Sequence, residues 1–151
     1  MKTIICTIII AITSSVFIAG CGQSVPMGND PVVKETVIRI ARQEFRNKIS
    51  RMIYIRLTGI YTWDAISYDN LASKASKKDV NAKKAIAAID SAMAQVKMSL
   101  TNIRIDRIDD KIRKSYSSAD LHVDETSMPI KYTAQRNADG KVYVEVTGLN
   151  F

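Results

Sequence analysis

Ile130-Lys131-Tyr132-Thr133-Ala134-Gln135 and Val142-Tyr143-Val144-Glu145-Val146-Thr147 are two short runs separated by a polar link that contains Asp139-Gly140. Apolar and polar residues alternate in both, so each run has one apolar and one polar face when the chain is extended. Asp-Gly between such runs signals a tight hairpin, because glycine accepts the positive φ that the turn needs. The pair predicts two antiparallel strands with one face buried and the other solvated.

The same alternation continues upstream. Ala119, Leu121 and Val123 alternate with Ser118, Asp120 and His122, and Ile103 and Ile105 alternate with Asn102, Arg104 and Asp106; Asp109-Asp110-Lys111 between them reads as a turn. Before Leu100 the period is helical. Asp30-Pro31 opens a first helix, with Asp as cap and Pro where its missing N–H costs nothing. Val33, Val37, Ala41, Phe45, Ile49, Met52 and Ile53, with Ile40 beside them, form its apolar stripe, opposite Glu35, Arg39, Arg42, Arg46 and Ser50. This helix should run to about Leu57 and stop at Thr58-Gly59. Asp64 is the expected cap of a short second helix carrying Ile66, Leu71, Ala72 and Ala75, and Ser73–Lys78 reads as a break. Asp79 caps a third helix from Val80 to about Met98, rich in alanine and striped by Val80, Ala82, Ala85, Ile86, Ile89, Met93 and Val96. The expected class is α+β, with N-terminal helices packed on a C-terminal antiparallel β-meander of about four strands. Cystatin-like and NTF2-like domains, with a helix laid on a curved sheet, have this pattern. Residues 130–135 and 139–146 also resemble the tail of small exported Gram-negative proteins with no assigned activity.

The N-terminus is of another kind. One charge at Lys2 precedes a nearly apolar run from Ile4 to Phe17, and small residues follow at Ala19 and Gly20. This is the layout of a secretory signal, too short and too rich in hydroxyls for a permanent span of about 20 apolar residues. Ile18-Ala19-Gly20-Cys21 resembles the lipobox of bacterial lipoproteins. That resemblance implies removal of residues 1–20, acylation of the Cys21 sulfur and of the new amino terminus, and a membrane anchor. Cysteine suits the role because its thiolate is a strong nucleophile, and two or more chains hold stably where one does not. Gly22 stands where an Asp would retain such a protein at the inner membrane, so the resemblance implies sorting to the outer membrane, facing the periplasm. Gly22–Asn29 reads as a short flexible tether. The expected division is signal peptide 1–20, lipidated cysteine and tether 21–29, and one periplasmic α+β domain 30–151.

The chain carries 22 Lys and Arg against 15 Asp and Glu, a formal charge of +7. Cys6 leaves with the leader and Cys21 is acylated, so the mature chain offers no disulfide and little thiol or soft-metal chemistry; no cofactor is expected. Arg39, Arg42 and Arg46 form one basic face; Lys77 and Lys78, with Lys74, Lys83 and Lys84, form another. In an exported protein such faces suit anionic headgroups or an envelope partner rather than nucleic acid, weighed evenly against a simple solvated face. His122 and Asp120 share a strand face, where a carboxylate steering a general base is weighed against two solvated residues; with no nucleophile motif nearby, the second reading is preferred. Asp106, Asp109 and Asp110 lack the glycine and closing Glu of a calcium loop. Tyr54, Tyr61, Trp63 and Tyr68 are expected to seal the junction of the first helices. No enzyme motif is present, and the expected role is binding: an accessory lipoprotein of the envelope, in the class that serves secretion, pilus, conjugation or exclusion systems. The alternative is a small lipid or ligand carrier with a cavity between sheet and helix.

Overall fold

The computed structural model describes residues 24–59 and 66–151. Three helices, α1 (Pro31–Thr58), α2 (Tyr68–Ser76) and α3 (Val80–Gln95), precede four strands, β1 (Met98–Asp109), β2 (Lys114–Val123), β3 (Thr126–Arg136) and β4 (Val142–Thr147). The strands form one antiparallel sheet in the order β1-β2-β3-β4. This is the α+β meander that the alternation predicts.

The β2 strand shows why the sheet forms here. Ser115, Ser117, Ala119, Leu121 and Val123 are buried, and the residues between them are half-buried on the opposite face. β2 meets β3 across Asp124-Glu125, with Asp124 at φ 52°. The last hairpin closes as the Asp-Gly signal requires: Gly140 has φ 81° and donates to the Asn137 carbonyl at 3.1 Å.

α1 has 28 residues, about 42 Å at 1.5 Å per residue, and serves two cores. Its first half buries Val33, Val37 and Ala41 against Leu121, Ile130, Tyr132 and Ala134 of the sheet. Its second half places Ile49 and Tyr54 with Leu71, Ala82, Ala85 and Ile89 of α2 and α3. Phe45 touches both and meets Phe151 edge to face, ring centres 5.1 Å apart. Fully burying an aliphatic side chain of this kind contributes about 1.5–3 kcal/mol, and the described residues, which include no cysteine, are held by these two clusters.

Several details differ from the sequence reading. Asp30 stands at the α1 N-cap but its side chain does not cap the helix; its Oδ2 accepts from the Met27 N–H at 2.8 Å. Met52 is 55% exposed, while Ser50, expected on the polar face, is buried and donates to the Arg46 carbonyl one turn back. α2 is capped by Ser67, which accepts from the Asn70 N–H at 3.2 Å, so Ile66 lies before the helix and Ser73–Ser76 within it. Asp64, the expected cap, lies outside the described residues. α3 is capped by Asp79 as expected, through the Ala82 N–H at 3.0 Å, but stops at Gln95, and Met98 begins β1. Val80, at the first turn of α3, is 61% exposed because the helix stripe has not yet reached its neighbours.

Candidate functional site

Cys21 and residues 1–20 lie outside the described residues. The described chain begins at Ser24, and residues 24–29 are not a free tether. Ser115 donates to the Pro26 carbonyl, the Tyr132 hydroxyl donates to the Gly28 carbonyl at 2.9 Å, and Arg136 Nε donates to the Ser24 carbonyl at 3.3 Å. Pro26 and Gly28 are buried. Gly28 has no alternative, since the Ser117 side chain occupies the space a Cβ would need. Burial pushes the Tyr132 phenol up to about 12, with the negative charge of Asp106 adding to the effect. The hydroxyl therefore remains a neutral donor at any physiological pH. Residues 24–29 thus rest on the sheet. One signal for this was present in the sequence: Ser115 falls on an inward position of β2, where a hydroxyl needs a partner, whereas the buried Ser117 hydroxyl packs against Gly28 without a hydrogen bond among the described residues.

The predicted basic residues divide into two groups. Arg42 donates from Nη1 to the Met93 carbonyl at 3.3 Å and from Nη2 to the Val96 carbonyl at 3.0 Å. It thereby adds a donor to the Met93 carbonyl, which the Val96 N–H also reaches at 3.4 Å, and places a cation at the α3 C-terminus, where the helix dipole favours one. The Arg46 guanidinium lies over the Tyr68 ring at 4.1 Å. Tyr68 donates to Asp90 Oδ1 at 2.8 Å, and that bond, with burial and the Asp90 charge, raises the phenol above its usual range. Arg39 is exposed, and the three arginines with Asp90 line an open groove of about 530 Å³ between α1 and α3. Lys77 and Lys78 are exposed in the turn between α2 and α3 and do not line that groove. Of the aromatic cluster, Tyr54 is buried with Lys74 Nζ 5.5 Å from its ring centre, while Tyr61 and Trp63 lie outside the described residues.

On the outer sheet face, His122 and Asp120 take different partners. His122 Nε2 is 2.8 Å from Thr101 Oγ1, and Asp120 Oδ2 accepts from Asn102 at 2.7 Å. The carboxylate is therefore not aimed at the imidazole. Asp106 accepts from Ser118, and Asp109 Oδ1 accepts from the Lys111 and Ile112 N–H groups, so these acids serve a strand contact and a turn. Among the described residues no group of three His, Cys, Asp or Glu is placed to hold a metal ion. An open groove of about 940 Å³ crosses this face, with Arg104, Asp106, Asp120 and Lys131 in its walls. Charged residues of both signs there suit a polar contact better than an apolar ligand.

No described helix is long and apolar enough to cross a membrane. No family model, curated protein or solved structure matches the chain.

Proposed function

We propose that the chain is a lipid-anchored lipoprotein of the bacterial envelope, sorted to the outer membrane, whose single periplasmic domain acts by binding another envelope component. The observation that carries the anchor is Ile18-Ala19-Gly20-Cys21 at the end of an apolar leader. A binding role is preferred to a carrier role because the space between α1 and the sheet is filled: Val33, Val37, Ala41, Leu121 and Ala134 all have 0% exposure. Cys21→Ser tests the anchor. The wild type should fractionate with membranes as a processed chain, and the variant should accumulate with its leader uncleaved. Equal processing of the two would defeat the proposal. Capture from detergent-solubilised envelopes should recover a stoichiometric protein; a monomer without one would argue against the binding role.

A further inference from the structure

Among the described residues, the inner face of β1 is covered only in its first half. Met98, Leu100 and Ile103 pack on the sheet core. Ile105 and Ile108 point to the same side, opposite Ser117 and Ser115, yet both are 41% exposed, and Ile112 in the adjoining turn is 47% exposed. β1 is an edge strand, so nothing lies beyond it in the sheet. The neighbours of these isoleucines on β2 are the serines that meet Pro26 and Gly28, so the apolar patch flanks the segment that leads to Cys21.

The two turns at this end are joined to that segment. The Arg136 N–H donates to the Arg113 carbonyl, its Nη1 to the Gly140 carbonyl and its Nε to the Ser24 carbonyl. Gln135 donates to the Ile112 carbonyl at 3.2 Å. From Ser24 back to Cys21 is three residues, at most about 11 Å of extended chain. Lipid on Cys21 would therefore hold Ser24 within that distance of the bilayer, and with it the end of the sheet that carries the β1–β2 and β3–β4 turns. Lys111 and Lys141 are exposed in those turns, while Lys114 pairs with Glu145 at 3.4 Å and Arg136 donates to carbonyls. Exposed aliphatic residues beside Lys and Arg fit a headgroup boundary, with the isoleucines entering the acyl region and the cations staying among phosphates.

We infer that Ile105, Ile108 and Ile112 form a second membrane contact, which docks the domain flat-ended on the bilayer beside its own lipid anchor. This rests on the anchored reading of Cys21. It also turns the groove of Arg39, Arg42 and Arg46 away from the membrane, since α1 leaves this end at Pro31 and carries those residues at least two turns along its length.

The test uses the full lipidated chain, purified from membranes and reconstituted into vesicles of phosphatidylethanolamine and phosphatidylglycerol. Once Cys21 is acylated, Ile108→Cys or Ile112→Cys gives one thiol for a nitroxide, and both sites are exposed enough to accept it. Glu125→Cys, at the opposite end of β2, is the reference. Collision with lipid-soluble oxygen relative to a water-soluble nickel complex should be several-fold higher at 108 and 112 than at 125. Equal nickel access at all three sites overturns the docking while the anchor stands. A label at 108 shielded from both reagents means a protein covers the patch and also overturns it. The mass of the same sample separates the two claims, because a mature chain without lipid removes the anchored reading itself and the docking with it.

Discussion

Gly28 and Tyr132 decide how the chain leaves the domain. A methyl group at 28 would meet the Ser117 side chain, so Gly28→Ala should destabilise the protein by about 1–3 kcal/mol, the usual cost of overpacking, measured by urea denaturation. An unchanged midpoint would mean that residues 24–30 do not rest on the sheet. Tyr132 supplies a pH test. In the unfolded chain its phenol ionises near 10, and in the folded protein at about 12. Between these values the native state binds more protons, so this contribution is complete below pH 10 and falls as pH rises toward 12. Tyr132→Phe should lose about 1 kcal/mol at neutral pH with its hydrogen bond. It should also lose less further stability than the wild type between pH 10 and 12; parallel curves would contradict the burial. Neither residue stood out in the sequence. Gly28 sits among small polar residues that read as linker, and only the sheet opposite it reveals a packed glycine.

Elements were legible where local chemistry decides them. Asp79 ahead of an alanine-rich stripe, Gly59 at φ 69° ending α1 and Asp139-Gly140 closing the last hairpin are all local signals that the fold retains. β1 was less legible, because its irregularities are set by its partner: the register with β2 shifts between Thr101 and Arg104 and again between Ile105 and Arg107. Such bulges bend an edge strand and discourage pairing with other chains. The contacts of Arg42 were hidden for the same reason. It reads as a solvated helix face, yet it reaches two carbonyls more than 50 residues away in the chain. Arg42→Ala should cost about 1.5–3 kcal/mol, the range for hydrogen bonds to a charged donor, by loosening α3 from α1. Arg42→Lys should restore little of this, since one ammonium cannot reproduce a planar fork. Full rescue by Lys would reduce the role of Arg42 to simple charge.

For the molecule as a whole, the order of the elements sets an orientation. β2 runs from the turn beside Ser24 to Val123, where the Asp124 N–H meets the Lys97 carbonyl at 2.9 Å; α3 and α2 therefore stand beyond the end of the sheet remote from Ser24. In this arrangement Arg39→Glu should leave attachment of the lipidated protein to vesicles unchanged in a flotation assay, and loss of attachment would place the wrong face toward the lipid. Under the proposed anchoring, the helical end and the outer sheet groove would be the surfaces left for a partner. Everything at this scale depends on the sulfur of residue 21. The most direct measurement is the intact mass of the mature protein extracted from cell membranes. A chain beginning at Cys21 and carrying a diacylglyceryl group with an N-linked acyl chain is the predicted result; a chain that begins elsewhere, or that has the bare polypeptide mass, would contradict the account.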